Sequence, residues 1–290
     1  GDTEMSYTGV LLIDKPRGPS SHQVAAWVGE MLKSNVGHSG TLDPMVSGVL
    51  VVMQGKAVRL APFLLLHEKE YVACMRLHAD IPRDRVEAVV KQFTGRVYQR
   101  PPRRSAVKRA LRIRVIHRIE VLDVQDRLVL LRVRCEAGTY IRSLCVHIGL
   151  VLGCGSQMVE LRRTMSGGFS VADTHTLHEL RDAVESGDEE VVRAMLLPPE
   201  LAIADIPKIL IRDSAADAIA HGAILAGVGA ISCDTFLKGA SVALVTRDGK
   251  LVALAEALRD SEKIVCGEPG YIARSTRVFL MPNACSNTHN

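Results

Sequence analysis

The chain has 290 residues, 47% of them hydrophobic, and a net charge of +4, which is enough apolar content for one large domain plus a small module and excludes disorder as the default. Its seven cysteines are an odd number with no Cys-x-x-Cys pair, so neither a disulfide framework nor a zinc ribbon is indicated and a reducing compartment is expected. No apolar run approaches the ~18 residues of a membrane span, and residues 1–7 are polar without a signal-peptide core, so a soluble, intracellular protein is expected.

Short strands alternating with helical patterns over the first 170 residues predict a mixed α/β sheet domain rather than a bundle. Residues 10–13 read as a strand. Ser20 or Ser21 can cap a following helix whose Val24, Trp27, Val28, Met31 and Leu32 recur at helical spacing. The run Gly37-His38-Ser39-Gly40-Thr41-Leu42-Asp43-Pro44 then sets one acid in a glycine-braced turn directly ahead of an apolar strand at 49–53. Asp-Pro taken alone is an ordinary turn, but a carboxylate on a stiff loop at the mouth of a sheet is also placed for chemistry. Residues 72–77 read as a strand and 83–93 as a helix. Between Glu87 and Glu120 there is no acid, while ten cations occur: Lys91, Arg96, Arg100, Arg103, Arg104, Lys108, Arg109, Arg112, Arg114 and Arg118. Such a one-sign block is a footprint for phosphate, its bland alternative being a solvated basic face. Residues 111–124 and 128–135 flank Gln125-Asp126-Arg127 as a hairpin with one wet face. Residues 139–152 are helical, with Gly153 as the stop and Arg142 in the first turn.

Composition shifts near residue 175. Two amphipathic helical stretches fill 179–196, and Pro198, Pro199 and Pro207 mark a connection to something new. From Lys208 a short strand, a helix at 214–220, a Gly-rich turn at Gly227 and Gly229, and a hairpin of 242–246 with 251–255 across Asp248-Gly249 are expected. The tail 283–290 is polar and expected to fray. His175 and His178 have a spacing that a metal site can use, but with no second ligand pair a helix cap is the better reading. HExxH, clustered metal ligands, a P-loop and a placed GxGxxG are all lacking.

Five ordered blocks accompany the Asp43 run: Leu11-Leu12-Ile13-Asp14-Lys15-Pro16 with Gly18-Pro19-Ser20-Ser21-His22, then Lys69-Glu70-Tyr71, then Arg100-Pro101-Pro102 with Ser105-Ala106-Val107-Lys108. Next come Gly138-Thr139-Tyr140-Ile141-Arg142-Ser143-Leu144 and Glu160-Leu161-Arg162-Arg163-Thr164. Together they resemble the TruB-type RNA pseudouridine synthases, in wording closest to the dyskerin branch, the catalytic subunits of H/ACA ribonucleoproteins. Asp213-Ser214-Ala215 and His221-Gly222-Ala223 resemble the PUA domain of the same branch. The resemblance covers about residues 8–281 and implies an α/β (α+β mixed-sheet) catalytic domain over 8–200, a small C-terminal β-barrel PUA domain over 205–283 and a polar tail at 284–290. Ser47 after the Asp-Pro turn and the two arginines after Pro102 depart from the family wording.

The resemblance implies a reaction without cofactor, in which uracil is cut from ribose C1′ at N1, turned and rejoined through C5 after the uridine is flipped from its stack. Asp43 would be the essential acid, attacking C1′ as a nucleophile or removing the C2′ proton. Arg142 would pair with it and hold its pKa low. Tyr71 would stack on the base and assist at C5, and Leu161 would close the pocket, although each taken alone is ordinary packing. His38 would support the flipped nucleotide. Lys15, Arg162 and Arg163 would contact the RNA backbone or the fold, and Arg100, Arg103, Arg104, Lys108 and Arg109 would contact RNA. Implied partners are an H/ACA guide RNA, a substrate RNA that is ribosomal or small nuclear, and three small particle proteins: a zinc-ribbon-like peptide, a glycine/arginine-rich-family β-barrel protein and a kink-turn binder. No membrane and no small-molecule cofactor are involved. The setting would be nuclear and nucleolar in a eukaryote, cytoplasmic in an archaeon. A stand-alone synthase of the tRNA T-loop and a noncatalytic RNA-binding scaffold are the alternatives.

Overall fold

In the computed structural model, which describes residues 9–100 and 110–281, the first elements are β1 (Gly9–Lys15), α1 (Ser21–Leu32), β2 (Val36–Ser39), β3 (Val46–Gln54) and α2 (Ala61–Leu64). They are followed by β4 (Lys69–Leu77), α3 (Arg83–Lys91), β5 (Gly95–Gln99), β6 (Arg112–Gln125) and β7 (Leu128–Cys135). Next come α4 (Ile141–Leu152), β8 (Ser156–Ser166), β9 (Phe169–Ser170), α5 (Leu177–Glu185) and α6 (Glu189–Met195). One compact unit runs to Val58 and resumes over His67–Leu196.

Its sheet has the order β1-β3-β8-β4-β7-β6-β5, with β2 also on β3 and β9 also on β8. The β3–β8 pair is parallel and the others are antiparallel, which is the mixed sheet that the sequence predicts. Strands β1 and β3 are buried along nearly their whole length, as unbroken apolar runs covered on both faces must be. Ser20 caps α1 by accepting from the Gln23 amide at 3.0 Å, and the helix ends at Lys33 in the left-handed region. Val24, Val28 and Leu32 of its stripe are buried, but Trp27 stays 36% exposed. Asp126, at φ +54, turns the β6–β7 hairpin. Thr176, rather than a histidine, caps α5, and His175 sits 3.3 Å from Glu179. Among the described residues no group of three His, Cys, Asp or Glu could hold a metal, and no helix is long and apolar enough to cross a membrane.

The second unit combines Arg59–Leu66 with the chain from Leu197 onward. Here β10 (Lys208–Ile211), α7 (Asp213–Ala220), β11 (Leu225–Ala226), β12 (Ala230–Cys233), β13 (Ser241–Thr246), β14 (Leu251–Ala257) and β15 (Tyr271–Met281) build a six-stranded sheet of order β11-β15-β14-β13-β10-β12. Gly249, at φ +84, turns the β13–β14 hairpin. The returning segment is an addition that composition does not reveal: Phe63 stacks on Phe279 with centroids 5.2 Å apart, and Arg59 donates to the Phe279 carbonyl at 2.8 Å.

Two positions in the first sheet are tightly constrained. Gly48 of β3 has φ +110, and a Cβ placed on it would stand 2.0 Å from the backbone oxygen of Arg163 on β8. Gly48→Ala combines a left-handed alanine with a backbone collision, so it should lower the unfolding free energy by more than about 3 kcal/mol; a denaturant melt superimposable on the parent's would refute this account of the β3–β8 contact.

Lys69 opens β4 at 5% exposure, opposite Cys135 on β7 and Ser166 on β8, and donates to Ser166 Oγ at 3.2 Å. Burial, reinforced by the charge of Arg163, pulls its pKa from 10.5 down to about 7, while burial pushes the Cys135 thiol up to about 12. Between those Lys69 values the unfolded chain holds a proton that the folded one lacks, so this group adds stability as pH rises from 7 and withholds it at lower pH. Urea unfolding of Lys69→Met, set against the parent from pH 7 to about 9, should show the rise with pH reduced by about 2 kcal/mol; equal slopes would contradict the assignment.

Candidate active site

Asp43 lies on the loop joining β2 to β3, and its side chain is exposed. The loop itself is not loose. The Val46 amide donates to the Asp43 carbonyl at 2.9 Å, closing a turn across Pro44 and Met45. Just upstream, the buried hydroxyl of Ser21 grips both backbone groups of Leu42, donating to its carbonyl at 2.7 Å and accepting from its amide at 2.8 Å. Just downstream, the Pro44 carbonyl accepts from the Gly18 amide at 2.8 Å and from Lys15 Nζ at 3.2 Å. Ser20 and Ser21 therefore divide the work that the sequence leaves open, one capping α1 and the other clamping the acidic loop.

Lys15 is expected to contact RNA, but its side chain is fully buried. Its ammonium donates to the carbonyls of Pro16 and Pro44. Burial lowers its pKa and the nearby Asp43 charge opposes the shift. A cation so enclosed serves the loop and the local field, not the RNA backbone.

Behind the loop, β8 presents Arg163 at 2% exposure. Its guanidinium donates to the Gly40 carbonyl at 2.5 Å and, through two nitrogens, to the Val49 carbonyl at 3.0 and 2.7 Å. Tyr71 faces it directly in the β4–β8 ladder, close enough for the two groups to influence each other's titration. Burial raises the Tyr71 pKa, the Arg163 charge opposes this, and the Asp43 charge adds to the rise. The phenol is therefore held protonated within the field of the carboxylate. Leu161, two residues before Arg163 on β8, is 8% exposed and pairs with Val46 at the start of β3, so it belongs to the same sheet region as the loop.

The expected Asp43–Arg142 ion pair is not formed among the described residues. The helical phase explains why. Ile141, Leu144, Cys145, Ile148 and Leu152 take the core face of α4, which turns Arg142 outward with the exposed Val146 and Leu150. The start of α4 is fixed by a residue that sequence reasoning misses: buried Gln99 donates to the Tyr140 carbonyl at 3.0 Å and accepts from the Tyr140 amide at 2.9 Å. Its only signal is its place beside the Arg-Pro-Pro block. Arg162, also expected at RNA, is instead paired in bidentate fashion with Asp14 at 3.0 Å and touches Ser47 at 3.3 Å, joining β1 to β8 across β3. This pairing gives Ser47, a departure from the family wording, a local role.

His38 on β2 is half-buried and meets His22 of α1 edge to face at 6.5 Å. Burial lowers its pKa, and His22 adds to the effect, so it is a neutral ring at the wall of a cleft of about 560 Å³ that Ala25, Gly29 and Asn35 also line. Arg100 is exposed. Arg103, Arg104, Lys108 and Arg109 lie outside the described residues. Of the flanking cations, Arg114 pairs with Glu136 at 3.7 Å and Arg118 with Glu120 at 3.4 Å, so acids bounding and beyond the basic block neutralise part of it. A solvent-facing carboxylate on a rigid loop, a protonated phenol on a buried cation and an apolar side chain at the strand below can together deliver a nucleophile or base to one face of a bound group and a hydroxyl to another.

Residues 30–141 match the N-terminal domain of the TruB family pseudouridylate synthases, 142–204 the C-terminal domain of tRNA pseudouridylate synthase B, and 207–279 the PUA domain. The probable tRNA pseudouridine synthase B of Methanosarcina barkeri is 49% identical over 278 residues, covering 94% of this chain and 82% of that protein; that of Archaeoglobus fulgidus is 48% identical, covering 94% and 86%. Among solved structures, the fold is similar to one in a Cbf5-Nop10-Gar1 complex, with a TM-score of 0.84 and 47% identity over 95% of this chain and 86% of that one. It is also similar to one in an H/ACA ribonucleoprotein bound to a substrate RNA containing 2′-deoxyuridine, with a TM-score of 0.78 and 44% identity over 95% and 86%. A mixed α/β catalytic unit followed by a PUA unit, matched along nearly the whole length, makes this chain a member of the TruB family of pseudouridine synthases, enzymes that isomerise uridine in RNA.

Proposed function

We propose that this synthase acts as the catalytic subunit of an RNA-guided H/ACA ribonucleoprotein, isomerising uridine in ribosomal RNA, with residues 8–200 doing the chemistry and the PUA module of 205–283 holding guide RNA. The observation that carries the guided role is the 47% identity, over 95% of the chain, to a protein crystallised with Nop10 and Gar1; small proteins of those two kinds are the partners proposed. A stand-alone tRNA synthase is the second reading, favoured by the names of the archaeal relatives.

In the proposed mechanism the target uridine is flipped onto the Asp43 loop. The carboxylate attacks C1′ and displaces N1, or takes the C2′ proton as the C1′–N1 bond breaks; the uracil turns against Leu161 and Tyr71; C5 then bonds to C1′, releasing the carboxylate from C1′ or returning the proton to C2′, and the C5 proton passes to solvent while N1 gains one. Tyr71, kept protonated by burial, is suited to hydrogen-bond a uracil carbonyl during the turn. Arg163 acts through Tyr71 and through the carbonyls of Gly40 and Val49, which bracket the loop. Arg142 is the substrate-side cation. Its exposed side chain makes no ion pair among the described residues, and catalytic contacts commonly tighten only in the substrate complex.

Reconstitution with and without guide RNA, read by pseudouridine mapping, separates the two readings: modification that requires guide and partner proteins supports the first, and modification of bare tRNA by the chain alone supports the second. Asp43→Asn should cut turnover by at least about 1,000-fold while RNA binding persists, and Arg142→Ala should also lower kcat; unchanged modification by the Asp43→Asn variant would remove this carboxylate from the chemistry.

Ser21→Ala leaves the Leu42 amide and carbonyl without their buried partner, a loss worth about 1–3 kcal/mol of stability, and frees the loop behind Asp43. The expected result is a kcat lowered by about 10- to 100-fold with KM little changed; an unaltered kcat would show that the loop keeps its place without the clamp.

A further inference from the structure

Two cysteines that share no sequence motif meet in the second unit. Cys233 ends β12 and Cys266 lies on the loop ahead of β15; both are free thiols, half-buried, with their Sγ atoms 4.0 Å apart. In the six-stranded sheet β12 is one edge and pairs with β10, while β11 is the other edge and pairs with β15. The loop bearing Cys266 bridges toward the short connection between those two edge strands. The Gly267 amide donates to the Gly227 carbonyl at 2.8 Å, and the Gly227 amide donates to the Gly270 carbonyl at 2.9 Å. The approach is close enough that a Cβ on Gly227 would stand 2.5 Å from the Glu268 carbonyl oxygen. Backbone contacts therefore hold the loop against the β11–β12 connection before any sulfur–sulfur bond exists. The remaining closure to a disulfide length of about 2.05 Å is within the reach of side-chain rotation at the two cysteines.

We propose that Cys233 and Cys266 are a modification site, an oxidisable dithiol whose disulfide ties edge strand β12 to the loop entering β15 and so closes the sheet covalently. The oxidant class is a low-molecular-weight disulfide. One cysteine attacks it and releases the first small thiol; the other attacks the resulting mixed disulfide and releases the second. The oxidant's S–S bond breaks, one S–S bond forms between Cys233 and Cys266, two electrons pass to the oxidant, and the two cysteine protons leave on the small thiols. Burial and the neighbouring sulfur push the Cys233 thiol up, and either cysteine of the pair can make the first attack, with the other completing the exchange. The bond would close a loop of roughly 30 residues, long enough to restrict the unfolded chain substantially.

The test is made on the full chain with oxidised glutathione. After oxidation and denaturation, two of the seven thiols should be lost, peptide mapping should join the peptides carrying 233 and 266, and the unfolding midpoint of the second unit should rise by about 10 °C, reversibly with reductant. Cys233→Ser and Cys266→Ser should each abolish the link and the shift while matching the reduced parent by circular dichroism. Mapping the parent alone decides the matter if a serine variant does not fold. Seven thiols remaining after oxidation, a bond formed by a different pair, or glutathione retained on one cysteine with no internal bond would overturn the proposal.

Discussion

The guanidinium of Arg163 is the contact on which the site depends. It is buried on the central strand β8, hydrogen-bonds a carbonyl of β3 and a carbonyl of the loop that bears Asp43, and lies opposite the phenol of β4. A buried cation is costly unless its donors are satisfied, and here the acceptors come from the segments that must be held in register for catalysis. Burial lowers its pKa and the Tyr71 contact opposes that shift. A lysine could offer a point charge at this position but not the planar fork that meets the Val49 carbonyl twice.

This arrangement is possible only because backbone approaches backbone closely beside it. Gly48 leaves the room for β3 to lie against Arg163, and the parallel pairing of Val46 with Leu161 and of Gly48 with Arg163 sets Leu161 and Arg163 under the loop together. On the other side of β8, the antiparallel ladder brings Tyr71 opposite Arg163 and Lys69 opposite Ser166. One register therefore fixes the apolar floor, the cation and the phenol at once, and a slip of one residue would turn all three away from the loop.

Much of this was legible in the sequence, for reasons that differ between elements. The strand at 128–135, the stop at Gly153 and the hairpin about Asp248-Gly249 carry local signals, and local signals survive folding. Strand β8 does not. Its Glu160, Arg162 and Thr164 alternate with Leu161 and Arg163, so the alternation of apolar and polar residues is masked by a cation buried on the apolar side. The return of residues 59–66 to the second unit is a long-range contact with no local mark. At the site, the motif leads to Asp43 and Tyr71, but not to which arginine is buried: Arg142 and Arg163 are the same residue type, and only the phase of α4 and the pleat of β8 separate them. Ser21 and Gln99 are missed for a related reason, since a hydroxyl or amide that clamps a distant backbone looks in sequence like any other polar residue.

In the proposed mechanism the exposure of Asp43 bears on how the reaction is driven. A hydrated carboxylate is a weak nucleophile and a weak base, and it gains strength only when water is replaced by fixed dipoles. The chain holds the loop from behind with Ser21 and Lys15 and leaves Asp43 exposed, so under the proposed mechanism the flipped nucleotide would supply the desolvating lid. Flipping costs a few kcal/mol of stacking and pairing, and under the proposed mechanism that cost would be met by contacts remote from the reacting sugar, which the cationic run of 91–118 and the PUA module would provide. A preformed buried carboxylate would have required its desolvation to be balanced within the folded protein at all times; an exposed one on a stiff loop defers that cost to the moment when RNA binding can offset it.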